Sequence, residues 1–196
     1  MQTEAVFENG VFTDPRDGQK YKTVKLKDGK VWMAQNLNFD ASAGCWQHED
    51  ILWEHENIGF PDYKKYGRLY TWKAALAACP PGWHLPSDED WWEMTKCYGM
   101  AYNIWDGQQR NKADKAGKAA YEALIEGGIS GFSALLAGSR LGNGYFSSIG
   151  NFGLFWSSTE RSSIGAWNYY FRSTDKDLYR SVINKGWGYS CRCVQD

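Results

Sequence analysis

Apolar and polar positions first alternate over Tyr21–Leu26, a period of two that predicts a half-buried strand. Lys27-Asp28-Gly29-Lys30 is a turn signal, and Val31-Trp32-Met33-Ala34 begins another strand, so a hairpin joined at Asp28-Gly29 is expected. Upstream, Pro15 and Asp17-Gly18 mark tight turns in an otherwise extended stretch over residues 1–40. Residues 41–66 lose all period and carry many acids, and they read as an insertion or long loop with one short helix over 47–57. Helical spacing over Tyr70–Ala78 is stopped by Pro80-Pro81-Gly82. Ser87 then caps a second helix whose first turn holds Asp88, Glu89 and Asp90, where carboxylates complement the helix dipole. That helix carries Trp91, Trp92, Met94 and Thr95 toward Tyr98.

The charged, Ala-rich stretch 103–127 reads as a further helix or a mobile segment, and as a second insertion. Beyond it come short strands at Gly131–Ala137, Gly153–Ser158, Ala166–Arg172, Leu178–Ile183 and Tyr189–Val194, punctuated by glycines. A hairpin, two helices and a run of strands in that order predict an α+β fold in a single domain over 1–196.

Composition narrows the function classes. The net charge is -1 and the pI about 6.3, which leaves no basic stripe for nucleic acid. Mean hydropathy of -0.59 and the absence of any long apolar run predict a soluble domain without membrane insertion. Met1-Gln2-Thr3-Glu4-Ala5 has neither the basic nor the apolar region of a signal peptide. Aromatic residues make up 16% of the chain, with 11 Trp and 12 Tyr, so some rings must be scaffold and others contact surface. The five cysteines show no CxxC or Cys/His spacing of a zinc site. His48 and His55 lie among Glu49, Asp50 and Glu56, which reads as a solvated polar insertion rather than a metal centre.

Several stretches stand out together: Tyr66-Gly67-Arg68-Leu69-Tyr70-Thr71-Trp72, Cys79-Pro80-Pro81-Gly82-Trp83-His84-Leu85-Pro86-Ser87, Gly131-Phe132-Ser133-Ala134-Leu135, Phe155-Trp156-Ser157-Ser158-Thr159-Glu160 and Gly188-Tyr189-Ser190-Cys191-Arg192-Cys193-Val194. In this order, and over nearly the whole chain, they resemble the Fibrobacter succinogenes major paralogous domain family. That family looks like a member of the C-type lectin-like superfamily, which also contains the formylglycine-generating enzymes and the variable proteins of diversity-generating retroelements. The resemblance implies a C-type lectin-like fold: two helices packed on short twisted antiparallel sheets, rich in loops. It implies a disulfide between Cys79 and Cys193, where the family joins its first helix to its last strand. Closing so long a loop stabilises by about 3–5 kcal/mol in an oxidising compartment. Cys191 lies two residues from Cys193 on one expected strand, so both should face the same side, with Cys191 a small buried hydrophobe.

Three functions are open to a chain with this resemblance. Calcium-dependent sugar binding needs converging oxygen ligands, but the chain reads Trp167-Asn168-Tyr169 where a third-position carboxylate is needed, and no proline follows Pro86. A formylglycine-type copper enzyme needs two free thiols, yet Cys191 and Cys193 have the wrong spacing and the disulfide takes one of them. No Ser/His/Asp set or carboxylate pair presents itself, and His84 is read as plugging a turn, so no catalytic role and no cofactor is assigned.

The remaining reading is a non-enzymatic binding module. Trp167, Tyr169 and Phe171 alternate with Asn168, Tyr170 and Arg172, predicting rings inward and an amide, a phenol and a guanidinium outward. The same contact vocabulary recurs at Arg161, Ser162, Ser163, Asp175, Tyr179, Arg180, Asn184 and Trp187. Retroelement variable proteins randomise positions in such a terminal stretch, so residues 161–187 are expected to form a diversified receptor-binding surface, within ligand-displaying strands over 155–194. The expected partner is a protein or glycan on a cell surface, and the expected setting extracellular, on a cell or phage particle. The alternative is a fixed polysaccharide-binding adhesin, which should line a groove with coplanar rings. Trp83 and Trp156 are assigned to the core, and Trp187, between two glycines, to the exposed surface.

Overall fold

A computed structural model describes residues 9–47, 63–100 and 116–196. Its first hairpin forms where the alternation places it. Strands β1 (Asn9–Thr13), β2 (Lys20–Lys25) and β3 (Val31–Met33) pair antiparallel, and Gly29 supplies the left-handed conformation (φ +83°) that closes the β2–β3 turn. β4 (Cys45–Trp46), α1 (Tyr63–Tyr66) and β5 (Leu69–Tyr70) follow. The expected helix over 47–57, like His48 and His55, falls largely on residues outside those described.

Thr71 caps α2 (Trp72–Ala78), accepting from the Ala74 amide, so the helix starts two residues later than its spacing suggested and Tyr70 stays in a strand. β6 (Trp83–His84) leads into α3 (Asp88–Lys96). Ser87 Oγ accepts from the Asp90 amide while the Asp90 carboxylate accepts from the Ser87 amide, a reciprocal capping box. Stretch 103–127 contributes α4 (Ala116–Leu124), which places Ala120, Tyr121, Ala123 and Leu124 in the core and packs against the strand at Asp177–Asn184. The described residues therefore contain four helices: the two expected, α4 within the stretch read as a helix or a mobile segment, and α1, which the sequence pattern does not predict. Gly131–Ala137 is not a strand; only Ala134 makes an isolated bridge, to Ile125. A small hairpin of β7 (Ser139–Arg140) and β8 (Phe146–Ser147) comes next.

The remaining strands are β9 (Phe152–Glu160), β10 (Gly165–Arg172), β11 (Asp177–Asn184), β12 (Tyr189–Ser190) and β13 (Val194–Gln195). One sheet runs β1-β2-β3-β13-β6 and a second β11-β10-β9-β12-β5-β4. Helices and mostly antiparallel sheets thus make an α+β fold. The last stretch was expected as a single strand. Instead it crosses from one sheet to the other, filling an interior slot in each, and Cys191, Arg192 and Cys193 all lie buried in the crossing. Strand parity therefore does not govern the two cysteines. Cys79 and Cys193 form the disulfide, with Cα atoms 5.9 Å apart, and Cys191 is buried and free.

Two cores flank the six-stranded sheet. On one face Trp91 stacks on Tyr169 (5.1 Å) and packs with Trp32, Phe132 and Phe155. On the other, Trp156 packs on Tyr189 (4.8 Å) and donates its indole N–H to the Tyr70 carbonyl. Each such ring stabilises by roughly 2–3 kcal/mol through burial alone. Trp83 and Trp156 are both core, as expected. His84 does not plug a turn: it sits in β6, half-exposed, with Nδ1 2.6 Å from Asp196.

Candidate functional site: the outer face of strands β9 to β11

Strands β10 and β11 pair without interruption from Gly165↔Asn184 to Arg172↔Asp177. Opposed residues share a face, so Asn168, Tyr170 and Arg172 lie on one side with Ser181 and Tyr179. Trp167, Tyr169 and Phe171 lie on the other with Val182, Arg180 and Leu178. Tyr169 and Phe171 point into the first core, as expected.

The first-named face ends in a locked polar and aromatic group. Tyr170 and Tyr179 stack with centroids 4.9 Å apart and planes 15° off parallel. The Arg172 guanidinium lies 4.6 Å from the Tyr179 ring and donates to Tyr179 Oη (2.6 Å) and, through Nε, to Asp175 Oδ1 (3.0 Å). Tyr179 Oη in turn donates to Asp175. The Arg172 guanidinium holds the Asp175 carboxyl below the usual carboxylate range, while burial and the neighbouring carboxylate push the Tyr179 phenol up. Every member is half-buried, so the group is fixed in place and still meets solvent. Phe152 extends it, while Ile183, opposite Ala166 toward the other end of β10, and Trp187 are further half-buried side chains on the rim of the second core. Phe152 packs beside Tyr170 at 6.1 Å and Trp187 stands edge-on to Tyr189 at 6.4 Å.

Candidate residues predicted from sequence fall into three groups rather than one. Arg172, Asp175, Tyr179 and Tyr170 form the locked group. Arg161, Ser162 and Ser163 are exposed in the β9–β10 connection beside exposed Asn184, at the opposite end of a strand whose eight residues span roughly 23 Å. On the helix-facing side, Trp167 and Arg180 meet: the guanidinium lies 3.4 Å from the indole and its Nε donates to Asp88 at 2.6 Å.

Three orientations need correction. Asn168 does not project outward; it is 1% exposed, because its face of the sheet covers Trp156 and the second core. Trp167 is not sunk in the core but half-exposed beneath Arg180, where the pairing of β9 and β10 shifts between Ala166 and Asn168. Trp187 is half-buried, since the chain turns back and lays its ring near Tyr189. Sequence reasoning also missed Phe152 and Ile183. Both are apolar residues in strands, and nothing short of the sheet order marks them as rim rather than core.

Among the described residues no group of three or more His, Cys, Asp or Glu is placed to hold a metal ion, and no helix is long and apolar enough to cross a membrane.

The sequence profile of the Fibrobacter succinogenes major domain matches residues 27–195. The chain belongs to this family. In this Fibrobacter major domain the matched span includes the disulfide, every residue of the outer face and most of both cores, leaving out Val24 and Leu26 of the first and Tyr21 of the second. No curated protein and no solved structure matches the chain significantly.

Proposed function

We propose that this Fibrobacter major domain is a non-enzymatic binding module of C-type lectin-like fold. It engages a protein receptor, on a cell surface or from a phage particle, through the outer face of β9–β11. The observation that carries the reading is the locked Arg172–Asp175–Tyr179–Tyr170 group. Tyr, Trp and Arg dominate the energetic centres of protein interfaces, and holding them in place beforehand lowers the entropy lost on binding. The two stacked tyrosines favour a protein over a polysaccharide. Their faces are turned to one another, whereas a sugar-binding groove needs free ring faces side by side. The long disulfide loop and the crossing of the C-terminal segment between two sheets support the C-type lectin-like assignment.

Residues 161–187 are the stretch in which we place diversification. The test is to compare sister copies of the gene and to search its neighbourhood for a near-copy of the segment encoding 155–194 that differs only at adenines. Substitutions should concentrate at outward positions such as Tyr170, Arg172, Tyr179, Asn184 and Trp187 and spare Tyr169, Phe171 and Leu178. Substitutions spread evenly between the two sets would overturn the diversified-surface reading.

A further inference from the structure

Arg140 is fixed in place without using its guanidinium donors. Its amide donates to the Gly188 carbonyl (2.9 Å) and its carbonyl accepts from the Gly188 amide (2.7 Å), which ties the β7–β8 hairpin to the residue before β12. Its guanidinium lies 3.8 Å from the centroid of the Trp46 ring. Glycines crowd the pair: a Cβ on Gly188 would come within 3.3 Å of the Trp46 ring, and one on Gly144 within 3.2 Å of Arg140 Nη2. The other described arginines differ. Arg16, Arg68, Arg172 and Arg180 donate to Asp14, Asp40, Asp175 and Asp88, and Arg192 to Asn36 and three carbonyls. Arg161 is exposed and only 6.0 Å from a ring, so nothing fixes it. Arg140 alone among them is both held against a ring and left with every side-chain N–H unpaired by protein. Those donors are open to solvent. The side-chain nitrogens and oxygens that are enclosed without a partner are Arg68 Nε and Asn168 Oδ1, and no nitrogen of half-buried Arg140 is among them.

We infer that Arg140, stacked on Trp46, is a carboxylate-binding site that takes an Asp or Glu side chain of the partner protein. A guanidinium presents a planar fork of donors that matches the two oxygens of a carboxylate, and on an ordinary polypeptide only Asp, Glu and the C-terminus carry that group. The ring takes water from one face of the cation, and the fixed backbone and stacking mean that little side-chain freedom remains to be lost on binding. The site borders the candidate surface at Trp187. That ring stands edge-on to Tyr189 on the rim of the second core, while its Nε1 end lies beside the hairpin, 3.5 Å from where a Cβ on Gly142 would be. The inference rests on the protein-binding reading above and adds to it the charge that the partner must bring.

The experiment selects a random-peptide phage library on the full chain and re-measures the selected peptides on variants. Peptides should emerge with an Asp or Glu whose replacement by Asn or Gln weakens binding to the unaltered chain about 10- to 100-fold, the range for one hydrogen-bonded charge pair. Arg140→Gln should weaken the acidic peptides by the same factor and leave their amide versions unchanged, so that the two losses do not add. Arg140→Lys keeps the charge without the fork and should fall between. Arg140→Gln breaks no hydrogen bond from the side chain, so it should melt within about 2 °C of wild type. The replacement on the peptide carries the comparison however glutamine packs. Peptides that lose binding in Tyr170→Ala but show no coupling between an acidic residue and Arg140 would overturn the inference and leave the protein-binding reading standing. Binding of oligogalacturonate that is lost in Arg140→Gln, with no peptide coupled to Arg140, would also overturn it, by assigning the carboxylate to a polysaccharide. If no selected peptide depends on Tyr170 or on Arg140, the protein-binding reading itself fails, and this inference with it.

Discussion

Arg192 is fully buried with no carboxylate partner among the described residues, and replacing it tests how the C-terminal crossing is held. Its guanidinium donates to Asn36 Oδ1 (2.8 Å), to the Met33 carbonyl (3.1 Å), to the Phe132 carbonyl and to the Ser133 carbonyl (2.6 Å). It also lies 4.6 Å from the Phe132 ring. Burial pushes its pKa down to about 9, so it remains charged at neutral pH. In Arg192→Met four acceptors lose their donor, each at about 1–3 kcal/mol if left dry. Against this, the variant no longer desolvates an unpaired cation, which returns several kcal/mol. The expected net loss is about 3–5 kcal/mol, the range for breaking a buried charged network by removing one partner. For a chain of this size that corresponds to roughly 6–20 °C in Tm. Urea unfolding followed by tryptophan fluorescence and thermal unfolding by circular dichroism give the two numbers. Arg192→Lys keeps the charge but reaches fewer of the acceptors, so it should fall between wild type and Arg192→Met. A loss below about 1 kcal/mol in Arg192→Met would refute the reasoning, because the guanidinium would then contribute no more than an ordinary surface side chain.

Two further predictions follow from the same geometry. Burial raises the Asp90 pKa, but hydrogen bonds from Lys30 and Ser87 outweigh it and hold the group at about 2. A depressed carboxylate pKa stabilises above its unfolded value near 4, so about 2 kcal/mol should be lost as pH falls from roughly 4 to 2, and Asp90→Asn should flatten that part of the stability profile. Cys97 is exposed while Cys45 and Cys191 are buried, so a thiol reagent should modify one cysteine rapidly in the native protein and three after unfolding without reductant; two or more fast thiols would refute the placement.

Local signals made part of this fold legible in advance. The β2–β3 hairpin follows from alternation around Asp28-Gly29, and α3 from Ser87 with Asp90 three residues on, because both are set by neighbours in sequence. The C-terminal crossing was not legible. Which sheet accepts Tyr189 and which accepts Val194 depends on partners at Tyr70 and at Trp32 and His84, far away in the chain. The candidate site divides in the same way. Alternation correctly grouped Asn168, Tyr170 and Arg172 on one face, but both faces of β10 carry core. Parity therefore assigns a side without saying whether that side meets solvent. Tyr170 and Arg172 reach it only because they lie toward the end of the sheet where Tyr179 and Asp175 stand beside them.

The slots filled by the final strands bear on when the chain becomes a folded protein. Among the described strands, β12 joins β9 to β5 in the six-stranded order, and β13 joins β3 to β6 in the other. A nascent chain still lacking residues 189–195 therefore holds three sheet fragments and the lone strand β6, all with open edges, and Cys79 waits for a partner 114 residues downstream. Such distant pairings are slow to form and expose unpaired strand edges in the meantime. The two sheets thus cannot close until residues 189–195 have been made, and the open edges call for protection from aggregation until those strands dock.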